Sequence, residues 1–255
     1  MIRVENLSKY YGHIRAVDGI SFHVKAGEIM GFLGPNAAGK STTMRIITGF
    51  LEPDEGTVYV GDVDVREDSM AVRRMIGYLP ETNPLYADLT TRDYLVYMAK
   101  LRGVPRQTRR SEIPGIMERC HISDVADQLI GTLSKGYRQR VGIAQALVHS
   151  PEVLILDEPT VGLDPRQILD TCDLIRDLAG DHTVILSTHS LPHVMLTCHS
   201  VTIISEGKIC ASGTIEELVN KQREAGEVAE GEISHSPLES IYLQLTKTAE
   251  EVAEL

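Results

Sequence analysis

The sequence predicts an α/β fold with a mainly parallel sheet. Short apolar runs that are typical of buried strands alternate with helical segments along most of the chain, as in βαβ units. A glycine-rich loop at 34–41 joins one of these strands directly to a helix. With 255 residues, the chain is long enough for one large α/β domain or two small ones with ample core.

The strands are predicted from apolar alternation, or from short apolar runs bounded by turn residues. In chain order they cover residues 2–4, 20–24, 29–33, 57–60, 63–65, 76–79, 153–158, 183–187, 201–205 and 208–211. Pro80 ends the strand at 76–79, and the turn Glu206-Gly207 joins the last two strands.

The helices are predicted from apolar positions that recur at helical spacing. In chain order they cover residues 44–47, 91–101, 109–120, 123–129, 138–149 and 166–178. Several of them follow one another without an intervening strand, so we expect a helical insert over about residues 82–150. From about residue 222 the composition becomes acidic, which predicts a first domain over 1–221. Residues 222–255 then form a solvated linker, a docking helix at 237–245 and an acidic tail.

Composition restricts the classes of partner. The formal net charge is −11, which argues against nucleic acid, because proteins that bind nucleic acid usually carry a basic patch. The four cysteines lie far apart, without a C-x-x-C pair, and we expect reduced core thiols in a cytosolic protein. We see neither an apolar leader at Met1 nor a run that approaches the roughly 18–20 apolar residues of a membrane span. Any membrane role is therefore expected to come through a partner.

The loop at 34–41 has the pattern G-x-x-x-x-G-K-[ST] between a strand and a helix. Gly34 and Gly39 let the backbone curl so that consecutive N–H groups point inward, beside the positive end of the new helix. Lys40 carries a full charge to the β- and γ-phosphates, and the Ser41 hydroxyl can hold Mg²⁺. The alternative is a glycine-rich turn with an exposed lysine. The context favours a nucleotide site.

Two carboxylates, Asp157 and Glu158, end an apolar strand. Because parallel strands bring their carboxyl ends to one crevice, this pair is expected beside the glycine-rich loop. Asp157 would complete the Mg²⁺ shell directly or through water. Glu158 would orient or deprotonate an attacking water. His189 follows the next buried strand and could reach a γ-phosphate, although a lone histidine is more often structural.

An aromatic side chain precedes the loop in the segment 9–12, Lys-Tyr-Tyr-Gly. Tyr11 could stack on adenine, a contact worth about 1–3 kcal/mol in base-stacking systems. Alternatively, both tyrosines pack on a sheet edge. The spacing does not decide between the two.

Several motifs in order make the chain resemble the ATP-binding subunit of ABC transporters over about residues 2–220. Beside the glycine-rich loop, Leu-Ser134-Lys-Gly136-Tyr137 resembles the family's signature sequence, and Asp157-Glu158-Pro-Thr resembles its Walker B strand. The turn Gly-Leu-Asp164 is similar to the D-loop, His189 to the switch histidine, and Tyr11 to the adenine-stacking aromatic.

The resemblance implies a P-loop NTPase core with a mainly parallel sheet, an antiparallel β subdomain and a helical insert subdomain. It also implies an ATPase that uses ATP and Mg²⁺ in a head-to-tail dimer, as a homodimer or with a close paralogue. Ser134 and Gly136 of one subunit would close over ATP on the P-loop of the other. Residues implied to bind the nucleotide are Tyr11, Gly34, Asn36, Ala37, Ala38, Gly39, Lys40, Ser41, Thr42, Ser134, Gly136 and Asp164.

A groove near Glu81 would receive a coupling helix from a membrane-spanning permease. Such a subunit lies in the cytoplasm, on the inner face of the cell membrane, and contacts the membrane only through the permease. The permease partner and this location are implied by the resemblance and not by the composition.

Three positions depart from the family pattern. Glu81 stands where glutamine is usual, Tyr137 ends the signature where glutamine is common, and Ala37 replaces a P-loop glycine. The first two resemble the ABC-2 exporter ATPases of drug-efflux and gliding-motility systems. A carboxylate at Glu81 could still bind Mg²⁺ or water. If Ala37 needs a positive φ, its Cβ costs roughly 1–2 kcal/mol, and we expect ATP binding to survive it.

The leading hypothesis is therefore an ATPase that drives an export-type transporter, with an importer ATPase as the runner-up. A nucleotide-gated module with little hydrolysis is another alternative, made possible by the three departures. A soluble ATPase that acts on nucleic acid or ribosomes is disfavoured by the acidic balance and by the lack of a second ATPase half.

Overall fold

The computed structural model describes the backbone of residues 1–224 and the side chains of residues 1–220. Its strands are β1 (Ile2–Tyr11), β2 (Ile14–Val24), β3 (Ile29–Leu33), β4 (Glu55–Val60), β5 (Val63–Asp64), β6 (Ile76–Leu79), β7 (Val153–Asp157), β8 (Thr183–Thr188), β9 (Ser200–Ser205) and β10 (Lys208–Thr214). Its helices are α1 (Lys40–Ile47), α2 (Ser69–Met75), α3 (Thr91–Leu101), α4 (Arg106–Arg119), α5 (Lys135–Leu147), α6 (Pro165–Asp177), α7 (Leu191–Thr197) and α8 (Ile215–Glu224).

A six-stranded sheet in the order β10-β9-β3-β8-β7-β6 forms the centre of the molecule. All neighbours pair in parallel except β10, which pairs antiparallel with β9 at one edge. The predicted α/β fold with a mainly parallel sheet is confirmed. Every residue of β3, β7 and β8 is buried, as expected for parallel strands covered on both faces. Their carboxyl ends share one edge, so Gly34, Glu158 and His189 begin the loops there.

A second, antiparallel sheet has the order β2-β1-β4-β5. Its apolar side chains and those of the central sheet bury one shared core, in which α1 also packs. The rings of Phe22 on β2 and Phe32 on β3 lie 5.3 Å apart inside this core. Met44 and Ile46 of α1 are fully buried in the same core, so both sheets hold the helix that starts at Lys40.

The other face of the central sheet is covered by α3, α4 and α5, which share a second core. Helix α5 packs closely on β6: a Cβ at Gly77 would lie 2.2 Å from the carbonyl oxygen of Ala146, and one at Gly142 would lie 2.7 Å from Leu79 Cδ1. Such close approach of helix and strand requires glycine. Gln145 Nε2 also donates to the Tyr78 carbonyl oxygen at 2.8 Å.

The first two strands are longer than predicted. The expected strands at 2–4 and 20–24 are the start of β1 and the end of β2, which continue to a hairpin where Tyr11 pairs with Ile14. The tyrosine segment 9–11 therefore belongs to a strand and does not connect two strands. Backbone hydrogen bonds between β1 and β2 extend both strands, and no local sequence pattern indicates this pairing.

The helix predicted at 123–129 is wrong. Only Ser123–Val125 forms a single 3₁₀ turn, because the following carbonyl groups have partners elsewhere. The oxygens of Ala126 and Gln128 accept from the N–H groups of Arg92 and Thr91 at the start of α3. These carbonyls satisfy helix donors that would otherwise lack partners.

Within residues 1–224, no helix is both long enough and apolar enough to cross a membrane. Helix α8 runs to Glu224, where the described residues end. The predicted linker beyond that point and the docking helix at 237–245 lie outside the described residues.

Candidate nucleotide-binding site

The glycine-rich loop at 34–39 lies between β3 and α1 and wraps one side of a cavity of about 380 Å³. Gly39 has φ of 103°, a conformation that L side chains rarely adopt, and its Cβ would lie 2.3 Å from the Ala16 carbonyl oxygen. A Cβ at Gly34 would lie 2.2 Å from the Ile204 carbonyl oxygen. Gly39 thus allows the turn conformation, and Gly34 allows the close approach of another backbone segment.

The cavity gathers residues from the edge where β3, β6, β7 and β8 end. Its lining residues are Ala16, Asn36, Ala37, Gly39, Lys40, Ser41, Thr42, Glu81, Glu158, Val161 and His189. Most of these were predicted from the sequence. Gly34, Ala38 and Asp157 are buried and are not among the lining residues.

Lys40 is buried at the first position of α1. Its Nζ donates to the carbonyl oxygens of Gly34 at 2.8 Å and Pro35 at 3.0 Å, and it lies 3.6 Å from Glu158 Oε1. These contacts hold the ammonium group at the cavity wall. Since the loop amides, the N-terminus of α1 and this charge are all positive, the cavity attracts an anion such as a phosphate group.

Glu158 follows β7 and has φ of 49°, in the left-handed region. Its backbone N–H donates to the Ser187 carbonyl oxygen at 2.9 Å, which ties the turn to β8. Its side chain is buried, with Oε1 2.9 Å from His189 Nδ1. A carboxylate can only accept, so the imidazole donates from Nδ1. The His189 ring itself is half exposed and faces the cavity.

Asp157 is the last residue of β7 and is almost completely buried. Its Oδ1 has no hydrogen-bond partner among the residues that the structure describes. An unpartnered buried carboxylate oxygen is costly unless something else binds it. Ser41 and Glu81 line the cavity together with Glu158, the residue that follows Asp157, and hydroxyl and carboxylate oxygens suit Mg²⁺. These residues fit a magnesium ion that also binds phosphate oxygens.

Ala37 meets the condition set out from the sequence, because its φ is 63°. This position carries the strain of an L residue in the left-handed region. The side chain is exposed and lines the cavity, so the strain lies in the backbone of the phosphate-binding loop.

The chain resembles known proteins over most of its length. The sequence profile described as ABC transporter matches residues 17–161. Over 224 residues it is 36% identical to the linearmycin resistance ATP-binding protein LnrL of Bacillus subtilis (strain 168), covering 87% of this chain and 71% of that protein. The chain belongs to the ABC transporter family. It is an ATPase subunit of a transporter, and it binds and hydrolyses ATP.

Another relative and a solved structure agree with the assignment. The Nod factor export ATP-binding protein I of Paraburkholderia xenovorans (strain LB400) is 36% identical over 219 residues, covering 86% of this chain and 72% of that protein. A solved ATP-binding subunit of an ABC transporter superposes with a TM-score of 0.82 at 28% identity. That match covers 96% of this chain and 99% of the other.

The segment at 134–137, which resembles the signature sequence, does not line the cavity of the ABC ATPase. Ser134 caps α5 by accepting from the Tyr137 N–H at 3.3 Å, and Asp164 caps α6 by accepting from the Gln167 N–H at 2.9 Å. A Cβ at Gly136 would lie 2.8 Å from the Gln167 side chain. The first turns of α5 and α6 are therefore packed against each other, and Ser134 and Asp164 are both exposed.

Tyr11 is not one of the cavity-lining residues of the ABC ATPase. It ends β1 with its side chain 46% exposed, and adenine stacking on it stays a prediction. Ala16, on the paired strand β2, lines the cavity instead, and the sequence had not indicated it. No local pattern marks Ala16, because the hairpin brings it against Gly39. Val161 could have been inferred, since it follows Glu158 in the same turn.

A second, apolar cavity of about 460 Å³ lies on the other side of the loop after β6. Phe50, Tyr78, Pro80, Tyr86 and Leu101 are among its lining residues, and we call it the apolar groove. Burial raises the pKa of Tyr78 to about 12, with smaller contributions from Asp157 and Glu81. The phenol therefore stays protonated and neutral at physiological pH. Pro80 lines the groove while the next residue, Glu81, lines the nucleotide cavity.

Proposed function

We propose that this subunit powers an ABC exporter through ATP-driven head-to-tail dimerisation of two ATPase subunits. The observation that carries the proposal is the convergence of Lys40, Glu158 and His189 on one cavity, while Ser134 and Gly136 lie outside it. One chain thus brings the catalytic groups to the cavity but not Ser134 and Gly136. In the proposed dimer, a second chain supplies those two residues.

In the proposed chemistry, Glu158 accepts a proton from the water that attacks the γ-phosphate, a role worth roughly 10²–10⁴ in rate. His189 donates to Glu158 Oε1, holds that carboxylate in place, and lines the cavity in which the phosphate would bind. Lys40 leaves its carbonyl partners to bind the β- and γ-phosphates, where its charge stabilises the transition state.

Magnesium is proposed as the second cofactor. Ser41 and Asp157 would hold it together with the phosphate oxygens, and Glu81 would bind the ion or one of its waters. When bound, the ion neutralises charge on the transferred phosphoryl group. The unpartnered Oδ1 of Asp157 supports this assignment, because it is already buried and desolvated.

In the proposed dimer, the start of α5 in one subunit covers ATP on the glycine-rich loop of the other. The Ser134 hydroxyl would donate a hydrogen bond to the ATP, and Gly136 would let the backbone approach it closely. The N-terminal end of α5 would attract the γ-phosphate. Asp164 at the start of α6 would contact the same interface. The exposed position of Ser134 and Asp164 supports this arrangement.

A membrane-spanning permease is the proposed second partner, docked in the apolar groove. Large apolar side chains are exposed there, including Phe50 at 65% and Leu101 at 61%, which favours an amphipathic helix as the occupant. Through that contact the subunit would sit on the cytoplasmic face of the membrane. The acidic charge of the chain gives no support to a nucleic-acid partner.

The names of the relatives support export. One relative is named for Nod factor export and another for linearmycin resistance. Glu81 and Tyr137 also resemble the exporter pattern. An importer ATPase is the runner-up. A nucleotide-gated module with little hydrolysis would require that the purified subunit, with its permease, fails to turn over ATP more than once.

The experiment is affinity purification of the tagged chain from gently solubilised native membranes, followed by mass spectrometry. We expect a stoichiometric protein with several membrane spans. Leu101→Glu places a charge in the groove and should reduce recovery of that protein at least about tenfold, the loss expected when an interface hot spot is disrupted. Ile14→Glu, at a residue that is 69% exposed on the β1–β2 hairpin, is the matched control and should leave recovery unchanged.

Capture of soluble proteins alone would contradict the transporter partner. Equal recovery with Leu101→Glu and wild type would instead contradict the groove as the docking site. The identity of the captured permease would then distinguish an exporter from an importer.

A further inference from the structure

Tyr137, which departs from the usual glutamine of the signature, makes a side-chain contact across two elements. Its hydroxyl donates to Asp124 Oδ2, in the 3₁₀ turn that follows α4. The residue lies in the first turn of α5, three positions after Ser134. A phenol reaches this carboxylate at the far side of the turn, and the bond ties the signature helix to the helical region that precedes it.

Arg140, one turn further along α5, continues the contact. Its guanidinium carbon lies 5.5 Å from the centre of the Tyr137 ring, within the range of a cation–π interaction. Its Nη2 lies 3.1 Å from Asp170 Oδ2 on α6, and its Nη1 donates to the His121 carbonyl oxygen at 3.4 Å. The Arg140 side chain is 16% exposed and the Asp170 side chain is 47% exposed, so the guanidinium group is largely shielded from water while the carboxylate is not.

These contacts join two helix starts that the proposed dimer needs in a fixed relation. Helix α6 is capped by Asp164 and bears both Gln167, which packs on Gly136, and Asp170, which pairs with Arg140. The segment at Ser134 is thereby fixed in three places. It caps α5, it packs on α6, and Tyr137 binds it to the preceding 3₁₀ turn. Loss of one of these contacts would leave the signature segment free to shift relative to Asp164.

We propose that Tyr137 and Arg140 are positioning residues for ATP-driven dimerisation. They hold Ser134 and Gly136 in the orientation that closes over ATP bound to the other subunit, and neither residue needs to touch the nucleotide. The inference rests on the head-to-tail dimer of the proposed function. It predicts that loss of the Tyr137 hydroxyl weakens the dimer and leaves nucleotide binding to the single subunit intact.

The test uses the full chain carrying Glu158→Gln, which the proposed mechanism expects to suppress hydrolysis, at saturating ATP with Mg²⁺. Sedimentation analysis gives the dissociation constant of the dimer. Adding Tyr137→Phe should raise that constant about threefold to tenfold, the range of one lost hydrogen bond. ATP affinity of the subunit, measured below the dimerisation concentration, should stay unchanged. Tyr59→Phe is the matched control, because Tyr59 also lies under an arginine, 4.4 Å from Arg3, but on the antiparallel sheet.

A double-mutant cycle with Asp124→Ala separates positioning from general loss of structure. If the two side chains act through one bond, the double variant should weaken the dimer no more than the stronger single variant. Arg140→Lys keeps the charge but loses the planar contact, and it should also weaken the dimer. This second variant tests the inference even if Tyr137→Phe folds poorly.

The outcomes are distinct. If the Glu158→Gln chain does not dimerise with ATP, the head-to-tail dimer itself fails. If it dimerises and both Tyr137→Phe and Arg140→Lys match the Tyr59→Phe control, the dimer stands and the positioning role is overturned. In otherwise wild-type protein, Tyr137→Phe should lower the rate at limiting subunit concentration and recover at high concentration, which a purely catalytic defect would not do.

Discussion

The imidazole of His189 donates from Nδ1 to Glu158 Oε1 at 2.9 Å, across the carboxyl ends of two neighbouring strands. Lys40 Nζ lies 3.6 Å from the same oxygen. One carboxylate oxygen thus faces both an imidazole N–H and an ammonium group. This shared oxygen links the glycine-rich loop, β7 and β8, and its surroundings generate the first prediction.

His189→Ala should lower ATP turnover by about 10²-fold, within the range for a group that orients a general base or stabilises the transferred phosphoryl group. ATP affinity should change little, since the phosphate-binding loop is intact. Steady-state hydrolysis and nucleotide titration measure the two quantities. His193→Ala is the control: His193 Nδ1 lies 3.0 Å from Thr160 Oγ1 and makes no bond to Glu158. Similar losses in both variants would contradict the role of the His189–Glu158 bond.

Asp157→Asn should raise the Mg²⁺ concentration needed for half-maximal hydrolysis about 10-fold or more, in the range found when the surroundings of a metal site are changed. The amide keeps the size of the side chain and removes its charge. Chelation of Mg²⁺ should abolish hydrolysis in both proteins. Asp88→Asn, at an exposed residue of the loop before α3, serves as the control. An unchanged Mg²⁺ requirement in Asp157→Asn would remove Asp157 from the metal site.

Ala37→Gly should relieve the strain of a residue at φ of 63°. The relief of about 1–2 kcal/mol is partly offset by the greater entropy of glycine in the unfolded chain, so we expect stability to rise by up to about 1 kcal/mol. Ala38→Gly, at a buried neighbour without a positive φ, should lower stability by about 0.5–1 kcal/mol or more. Denaturant unfolding of both variants checks the opposite signs. Destabilisation by Ala37→Gly as large as that by Ala38→Gly would show that no strain is stored there.

Stability should fall as the pH falls from about 6.5 toward 4, in part because of His149. Burial lowers the pKa of His149 to about 4, with Arg102 adding to the shift. Its Nε2 lies 3.1 Å from the Ile76 carbonyl oxygen, so it carries the donated proton, and Nδ1 has no partner among the described residues. Between the two pKa values the unfolded chain binds a proton that the folded chain does not, so acid favours unfolding.

The measurement is urea unfolding of wild type and His149→Gln between pH 7.5 and 5. The free energy of unfolding should fall more steeply with decreasing pH for wild type than for His149→Gln. At about one pH unit below the ordinary histidine pKa, the difference in this fall should be of the order of 1 kcal/mol. Parallel curves for the two proteins would contradict the depressed pKa.

Helix α3 and strand β6, whose boundaries have local signals, were predicted well, whereas helices α2, α7 and α8 were not predicted. Helix α3 begins where predicted because Thr90 caps it, accepting from the Asp93 N–H at 3.1 Å, and β6 ends where Pro80 follows. The lengths of β1 and β2 and the 3₁₀ turn at Ser123–Val125 depend on pairing with distant segments, so local patterns gave them wrongly.

The candidate site divides in the same way. The loop residues from Gly34 to Thr42 and the strand-end pair Asp157 and Glu158 could be found from motif spacing, since the chemistry needs those types in that order. Ala16 could not, because it reaches the cavity through hairpin pairing alone. The contact of Tyr137 with Asp124 also joins two elements through space, and no spacing rule predicts it.

The most direct test of the account is the ATP turnover of Glu158→Gln, measured together with its ATP affinity. The amide fills the same space at the end of β7 but cannot accept the proton of the attacking water. The proposed mechanism predicts that ATP still binds while hydrolysis falls by roughly 10²–10⁴. Near-normal turnover in this variant would contradict Glu158 as the catalytic base, and with it the proposed mechanism.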